Sequence, residues 1–308
     1  RRMTGWTDKR HPFGKALRSL RQVVEGLLQA LLMGLFWLLP LDWASGLGGW
    51  LARQIGTRLP VNRRALKHLA IAFPDMPQTE RRRILAGMWE NLGRMIAEYP
   101  HLGAIADPAA GRIEVVGAER LAAVRAAGRH FIVISGHMAN FELMPIAAYK
   151  HGYNMTVVSR PVNNPFIQRI LLFFRERPTG DWGRIPKGVD GARQAVKLLA
   201  EGLNLGVLVD QRVSQGVALP LFGQPARTNL GIAKLALEYG VDVFPCHLER
   251  LGGARFRITL EEPLRRPQLG DRQAEAKAMM AEVNLILERW IRHRPEDWLW
   301  LHRRWDRP

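Results

Sequence analysis

The sequence predicts an α/β fold with a largely parallel central sheet flanked by helices, preceded by an N-terminal hydrophobic anchor helix. From about Ile113, short runs of apolar and β-branched residues alternate with longer segments of helical periodicity, which is typical of a parallel sheet. Before them lies one long apolar stretch close to the N-terminus. No linker or change of composition interrupts the chain after residue 113, so we expect one α/β core.

We interpret residues 1–60 as a basic arm followed by membrane anchor helices. Between Leu27 and Leu41, Gln29 is the only polar side chain. This stretch is shorter than the roughly 20 residues of a full span, although 23–43 reaches that length if two polar residues are tolerated. Tryptophans suited to the headgroup level follow at Trp37, Trp43 and Trp50. We therefore expect an anchor that spans the bilayer or lies in one leaflet; a buried core helix is the alternative.

The rest of the chain is interpreted as one domain at 61–308, with a helical lead-in at 61–112 and an α/β core at 113–308. Pro74 and Pro77 separate two helices of the lead-in. The expected strands are IEVVG, HFIVISG, NMTVVSR, LGVLVDQ, DVFPCHL and RFRITLEEPL. The expected helices are FELMPIAAYKHG, NPFIQRILLFFRER, GVDGARQAVKLLAEG, NLGIAKLALEYG and the long DRQAEAKAMMAEVNLILERWIRHRP.

The composition points to an anionic partner. The chain has 45 Lys and Arg against 28 Asp and Glu, a formal net charge of +17. Nucleic acid, an anionic membrane surface and acidic substrates all fit such a balance. The single cysteine, Cys246, excludes an intrachain disulfide and a cysteine-rich metal site, and its apolar surroundings predict a buried side chain.

The candidate catalytic residues lie in SGHMANFEL, directly after an expected strand. Ligands of open α/β sheets bind beyond the carboxyl ends of the strands, and His137 stands at such an end. A carboxylate that holds one imidazole nitrogen fixes the tautomer and leaves the other nitrogen free to accept a proton. Glu142 is the candidate carboxylate, provided that Gly136 turns the chain so that the two side chains meet. The alternative is a polar pair that caps an ordinary helix.

Other catalytic patterns fit less well. The sequence has no H-E-x-x-H zinc motif, no P-loop and no G-x-S-x-G nucleophile elbow. A histidine and a glutamate at this spacing also occur often by chance, so the pair alone is a weak signal.

The wider sequence resembles a known family. SGHMANFELMP resembles the H-x4-D/E block of glycerolipid acyltransferases, in the form found in lipid A late acyltransferases, which include lauroyl and myristoyl transferases. Further similar segments follow the same order: RRALKHLAIAFPDM, GMWENLGR, SRPVNNP, LVDQ, PLFGQPARTNLG and PEDWLWLHRRWDRP. The tryptophan-rich ending is much more specific than the histidine block. The resemblance implies a glycerolipid acyltransferase-like fold and makes catalysis the favoured interpretation.

The resemblance also implies roles for the first motif residues. His137 corresponds to the general base that deprotonates an acceptor hydroxyl, and Glu142 to the carboxylate that orients it. Asn140 is expected to assist the pair or an oxyanion, or else to cap a helix. Arg160 corresponds to the arginine of the second block, a contact for phosphate or the acyl donor.

Later motif residues are expected to complete the substrate site. Asp210 closes a strand and is expected to organise the pocket floor, with Gln211 beside it. Thr228 and Gly231 resemble a T-x-x-G that opens a helix, a candidate phosphate seat, although Thr228 as an N-cap is an equal alternative. Arg303 and Arg304 are candidates for contacts with acceptor phosphates or with the membrane surface.

Taken together, the resemblance implies a membrane-associated O-acyltransferase. It would move a fatty acyl chain from acyl-ACP, or acyl-CoA as co-substrate, to a hydroxyl of a lipid A precursor, an anionic glycolipid. No metal or other cofactor is implied. The basic arm and the donor place the active site on the cytoplasmic face of the bacterial inner membrane. The alternatives are another glycolipid acceptor, such as a phosphatidylinositol mannoside, or a non-catalytic membrane-binding protein. A nucleic-acid binder is disfavoured because the arginines are scattered.

Overall fold

A computed structural model describes residues 12–180 and 183–306 of the chain, and it contains a seven-stranded sheet surrounded by helices. The helices are α1 (Pro12–Leu38), α2 (Leu41–Gly56), α3 (Asn62–Ala72), α4 (Gln78–Glu98), α5 (Leu102–Ile105), α6 (Ala118–Ala126), α7 (Leu143–Lys150), α8 (Pro165–Glu176), α9 (Val189–Ala200), α10 (Gly231–Tyr239) and α11 (Arg272–His293). The strands are β1 (Ile113–Val116), β2 (Phe131–Ser135), β3 (Met155–Ser159), β4 (Arg184–Pro186), β5 (Asn204–Leu208), β6 (Val217–Leu221), β7 (Gln224–Thr228), β8 (Asp242–Gly252) and β9 (Arg255–Leu260).

The central sheet has the strand order β1-β9-β8-β2-β5-β3-β4. Five strands, β8, β2, β5, β3 and β4, run parallel to one another, whereas β9 pairs antiparallel with β8 and β1 runs parallel to β9. The predicted α/β fold with a largely parallel sheet is confirmed. Consequently the carboxyl ends of β2, β5, β3 and β4 meet at one edge of the sheet, where the loops that follow them lie side by side.

A second, two-stranded antiparallel sheet formed by β6 and β7 was not predicted. Its turn consists of Phe222 and Gly223, which have φ values of 54° and 69°. Positive φ at both central residues is the geometry of a tight hairpin turn, normally built from Asn-Gly or Gly-Gly. The first position is occupied here by a buried phenylalanine, which is not a usual turn residue, so the local sequence did not predict the hairpin.

The N-terminal helices pack directly onto the rest of the protein. Helices α2 and α4 approach so closely that a Cβ on Gly48 would lie 2.6 Å from the carbonyl oxygen of Gly93. Helix α1 packs on α8, where the side-chain amide of Asn164 donates to the carbonyl of Gln22 at 2.9 Å. Many leucines of α1 nevertheless remain exposed, among them Leu28 and Leu31. Among the residues that the structure describes, no helix is long and apolar enough to cross a membrane.

The C-terminal segment returns to the carboxyl edge of the sheet. The backbone N–H of Leu299 donates to the carbonyl of His137 at 3.1 Å, and Trp298 forms an isolated antiparallel bridge with Met138. The rings of Trp298, Trp300 and Trp305 are buried against one another and against the main core. The tryptophan-rich ending therefore packs beneath the loop that carries His137 and holds it in place.

Acid pH is expected to destabilise the fold through buried histidines. The ring of His247 stacks on Trp290 at 4.9 Å, and burial, followed by the charge of His293, lowers the pKa of His247 to about 3. In the unfolded chain the pKa of His247 is about 6.5. Between this pH and about 3, the unfolded chain therefore binds more protons at His247 than the folded chain does. The free energy of unfolding therefore decreases as the pH falls through this window, by about 2 kcal/mol at pH ~5 for this residue.

Urea unfolding of the wild-type protein and of His247→Gln at pH 7 and pH 5 measures this contribution. The variant is expected to lose less stability than the wild type on acidification, because glutamine does not titrate. An equal loss in both proteins would show that His247 does not contribute to the pH dependence.

Candidate active site

The register of the sheet places four polar side chains at one edge. Ser135 of β2 pairs with Leu208 of β5, and His137 and Asp210 each lie two residues beyond these paired positions. Similarly, Ser159 of β3 pairs with Pro186 of β4, so Arg160 and Lys187 each follow a paired position directly. The parallel arrangement thus brings together residues that are far apart in the sequence.

His137 and Asp210 form the centre of this site. The Nδ1 atom of His137 lies 2.7 Å from Oδ1 of Asp210, and the backbone N–H of His137 donates to Oδ2 at 2.9 Å. The indole N–H of Trp298 also donates to Oδ2, at 2.8 Å. An ionised carboxylate can only accept, so the neutral imidazole of His137 carries its proton on Nδ1 and has Nε2 as its acceptor. This tautomer is the one required of a general base.

Asp210 remains ionised although its side chain is buried. Burial alone would raise the pKa of its carboxyl group, but the charge of His137 and the hydrogen bonds from His137 and Trp298 lower the pKa well below its ordinary value. A negative charge held in this position also stabilises the imidazolium that forms when His137 takes a proton. The sequence had suggested that Asp210 organises the floor of the pocket. In the structure its carboxylate also binds His137 directly.

The expected contact between Glu142 and His137 does not occur in the structure. The carboxylate of Glu142 instead accepts a hydrogen bond from the Tyr99 hydroxyl at 2.7 Å and two from the Arg175 guanidinium, one of them at 2.6 Å. Glu142 immediately precedes α7 but makes no side-chain capping bond there, so the capping alternative is not observed either. Arg175 on α8 draws the glutamate away because a bidentate guanidinium is its strongest partner.

The ion pair of Glu142 and Arg175 is largely buried. Burial would lower the pKa of Arg175, but the charge and hydrogen bonds of Glu142 raise it above the ordinary value. Burial, together with the nearby Glu142 charge, raises the pKa of Tyr99 well above 10. Arg175 thus stays protonated and Tyr99 stays un-ionised at neutral pH, and the three side chains tie α7 to α8 and to the end of α4.

Asn140 also binds the protein itself. Its side chain is fully buried, and its Nδ2 donates to Glu98 Oε2 at 2.8 Å. Glu98 pairs with the guanidinium of Arg250 through contacts of 2.5 and 3.0 Å. The preceding Ala139 has φ 47°, a strained value for a residue with a Cβ, and its N–H donates to the Asp297 carbonyl at 2.9 Å. The expected contact of Asn140 with a substrate is replaced by one that shapes the His137 loop.

Gln211 bridges two histidines. Its side-chain nitrogen lies 3.1 Å from His137 Nε2 and 3.2 Å from His302 Nε2, and its Oε1 accepts from Lys187 Nζ at 2.7 Å. Burial, followed by the charge of His137, lowers the pKa of His302 to about 4, so this second imidazole is neutral at neutral pH. Gln211, which was expected beside Asp210 in the substrate site, thus lies next to His137 Nε2; its contact with a substrate stays a prediction.

Thr228 and Gly231 do not form an open phosphate seat. Thr228 is buried at the end of β7, where its hydroxyl donates to Ala226 O and accepts from Asn284 and Arg304. It is not the N-cap of α10 either, since that helix begins three residues later. The N–H of Gly231 is already bound by the Asn229 side chain at 2.9 Å. Local pattern matching missed that the segment before α10 is a strand.

The two arginines of the ending differ in their surroundings. Arg304 is fully buried, and it donates to the Arg227 carbonyl and to Thr228, so it holds the C-terminal segment rather than facing a substrate. Arg303 is exposed, as is Arg160. Arg160 and Lys187 directly follow the paired ends of β3 and β4, so both cations lie at the same mouth of the site. Together they can attract phosphate or another anion.

Sequence reasoning missed several residues of this site. Lys187 follows a strand of only three residues, too short for an apolar pattern to reveal. His302 and Trp298 lie in the ending that the resemblance singled out, but no spacing rule places them beside His137. Arg175 lies in the largely apolar helix α8, where no motif marks it as a functional residue. Among the described residues, no group of three or more His, Cys, Asp or Glu side chains could hold a metal ion. The expectation of no metal remains a prediction.

Comparison with known proteins identifies the family of this chain. Residues 10–307 match the model of the family described as bacterial lipid A biosynthesis acyltransferase. The chain is 27% identical over 250 residues to the lipid A biosynthesis lauroyltransferase of Escherichia coli (strain K12), covering 77% of this chain and 76% of that protein.

Among solved structures, the 1-acyl-sn-glycerophosphate acyltransferase of Thermotoga maritima aligns with 77% of this chain and 98% of its own, at 12% identity and a TM-score of 0.36. That score is too low to support any statement about this protein. The family match, by contrast, covers nearly the whole chain, including every residue of the site described above. The chain belongs to the bacterial lipid A biosynthesis acyltransferase family.

Proposed function

We propose that this protein is a membrane-associated O-acyltransferase that moves a fatty acyl chain from acyl-ACP to a hydroxyl of a lipid A precursor. The observation that carries the proposal is the hydrogen-bonded pair of His137 and Asp210 at the carboxyl edge of the sheet. The pair lies within a chain of the lipid A acyltransferase family, one of whose relatives is named a lauroyltransferase. Acyl-CoA is the alternative donor.

In the proposed reaction His137 acts as the general base. Its Nε2 accepts the proton of the acceptor hydroxyl while the hydroxyl oxygen forms a bond to the thioester carbonyl carbon of the donor. The imidazolium that results is stabilised by the ionised Asp210 at 2.7 Å. When the tetrahedral intermediate collapses, the carbon–sulfur bond breaks and the thiolate takes the proton back from Nε2. The products are the acylated acceptor and the free thiol of the carrier, so protons and bonds balance without a cofactor.

Positive charge around the site favours the binding of anionic substrates. Arg160 and Lys187 follow adjacent strands at the mouth of the site, and Arg303 is exposed on the nearby C-terminal segment. Phosphates of a glycolipid and the phosphate of an acyl-carrier arm are both suited to such cations. The net charge of +17 adds a long-range attraction towards an acidic carrier and an anionic bilayer.

The membrane surface is proposed to contact α1 and α2. Leucines along α1 are 60% or more exposed at Leu27, Leu28, Leu31 and Leu38, and on α2 the indoles of Trp43 and Trp50 are 72% and 58% exposed. Exposed apolar area of this extent on a soluble surface is unfavourable, whereas at the headgroup boundary leucine and tryptophan are stabilised. We propose that these helices lie at the cytoplasmic face of the inner membrane.

The proposal is tested by mass spectrometry of reaction products in detergent. Protein is incubated with a tetra-acylated lipid A precursor and a mixture of acyl-ACPs of different chain lengths. The wild type is expected to add one acyl chain, whose mass also reports the preferred length. His137→Ala is expected to add none, because the base is removed. Absence of transfer by folded wild-type protein from any acyl-ACP or acyl-CoA would refute the proposed function.

A further inference from the structure

The base nitrogen of His137 is capped by a side chain of the protein. The Gln211 amide nitrogen lies 3.1 Å from His137 Nε2. An acceptor hydroxyl must come within about 2.6–3.2 Å of the same nitrogen atom to give up its proton. The amide and the hydroxyl cannot both occupy this position. A substrate therefore has to displace Gln211 before the reaction proposed above can begin.

The surroundings of Gln211 provide for this displacement. Because Nδ1 of His137 donates to Asp210, its Nε2 is an acceptor and the amide is the donor. The amide nitrogen also lies 3.2 Å from His302 Nε2, to which its second N–H can donate, and Oε1 is bound by Lys187. The amide can thus leave His137 and keep its other two partners. The hydrogen bond that it gives up is replaced by the one from the substrate hydroxyl.

His302 is suited to receive the amide. Its ring lies 5.0 Å from that of His137, at an angle of 62°, and the Nε2 atoms of both rings lie within 3.2 Å of the same amide nitrogen. It is partly buried and neutral at neutral pH, and a neutral imidazole keeps an acceptor nitrogen. Without this acceptor, an amide displaced from His137 would leave both of its protons unpaired in a partly buried place, which is unfavourable.

We propose that His302 is a positioning residue for the acyl transfer: it holds the Gln211 amide when an acceptor hydroxyl takes its place at His137. The inference rests on the proposed function. It assigns a role to the histidine of the C-terminal ending, which reaches the site from 165 positions further along the chain than His137. Lys187 acts as the hinge point that keeps the carbonyl end of the amide in place.

The role is tested with His302→Phe, which keeps an aromatic ring but has no acceptor atom. Acceptor kcat/KM is expected to fall by about 10–30-fold, the range of one lost hydrogen bond to a partly buried group, while KM for the acyl donor changes little. His302→Asn restores an acceptor oxygen and is expected to stay within about 3-fold of the wild type. A loss in the Asn variant equal to that in the Phe variant would overturn the proposal.

A double-mutant cycle with Gln211→Ala separates this role from a structural one. If His302 acts through Gln211, the Phe substitution is expected to change acceptor kcat/KM by less than about 2-fold once Gln211 is removed. An equal loss in both backgrounds would overturn the inference while the proposed function stands. Wild-type protein without any acyl transfer would instead refute the proposed function itself.

His151→Phe is the matched control. This histidine is exposed and follows α7, before β3 begins, and therefore lies at the opposite edge of the sheet. Its kinetic constants are expected to match those of the wild type. Thermal unfolding of all variants, measured in the same detergent, shows whether a kinetic loss comes from an altered fold.

Discussion

Replacing Asp210 by asparagine is expected to lower kcat by about 10³-fold while KM for both substrates changes little. The Oδ2 atom of Asp210 accepts two N–H donors, from the His137 backbone and from Trp298, and Oδ1 faces His137 Nδ1. Asparagine has one oxygen, which must serve the two donors. Its NH₂ group then faces His137 Nδ1, and the imidazole must turn into the tautomer that is protonated on Nε2.

That tautomer has no lone pair for the acceptor hydroxyl, and the charge that stabilises the imidazolium is gone as well. The measurement is steady-state acyl transfer with the donor and acceptor varied in turn. Asp306→Asn is a suitable control, since this carboxylate is half exposed and pairs with Arg212 and Arg227 rather than with His137. It is expected to retain wild-type kcat.

Glu142→Gln distinguishes the two candidate partners of His137. In the structure Glu142 binds Arg175 and Tyr99, so its replacement is expected to lower the melting temperature and to reduce activity through the packing of α7 and α8. If Asp210→Asn kept most of its activity while Glu142→Gln lost it without loss of stability, the partner expected from the H-x4-E block would be correct and the observed pair would not be catalytic.

The second large effect is expected on stability, from Glu98→Gln. Glu98 is fully buried and receives hydrogen bonds from Arg250, Asn140 and Ser45. Glutamine would leave the buried Arg250 guanidinium without the carboxylate that its side chain contacts directly, and it would turn an NH₂ group towards other donors. Breaking one partner of a buried ion pair lowers the free energy of unfolding by about 3–5 kcal/mol.

Urea unfolding in detergent measures this loss, and Glu90→Gln is the matched control on the same helix. Glu90 pairs with Arg53 and Arg94 but is partly exposed, so its replacement is expected to lower the free energy of unfolding by less than about 1 kcal/mol. Equal losses in the two variants would show that the buried pair carries no special weight. A selective loss for Glu98→Gln would identify the connection between α4, β8 and the His137 loop as a main determinant of stability.

Much of the architecture was predictable because it depends on local patterns. The apolar runs before Ser135, Ser159 and Leu208 are strands of a parallel sheet; β2 is buried along its whole length, and β3 and β5 are at least partly buried. A strand covered on both faces needs a continuous apolar sequence. Strand β4 and the β6–β7 hairpin were not predicted. Three residues are too few to show a period, and the Phe222-Gly223 turn has no ordinary turn signature.

Some features of the candidate site were also predictable from the sequence, and others were not. The sequence determined that His137, Asp210 and Arg160 follow strands, and parallel strands with such ends predict a site at one edge. The sequence also places Glu142 five residues after His137, and this spacing suggested that Glu142 is the partner of His137. In the structure the two side chains do not pair. Adjacency along the chain made that pairing the simplest hypothesis, but an arginine on α8 competes for the same carboxylate.

The sequence by itself therefore determined the α/β class, the family resemblance and the candidate base His137, since these depend on periodicity and on motifs that stay contiguous. Only the tertiary structure decided which carboxylate holds His137, that Gln211 caps it, and that His302 and Trp298 reach the same place. Sheet order is the physical reason. Strands β2 and β5 are neighbours although 68 residues lie between the last residue of β2, Ser135, and the first residue of β5, Asn204. Such pairings are selected by packing and register, which produce no pattern in the local sequence.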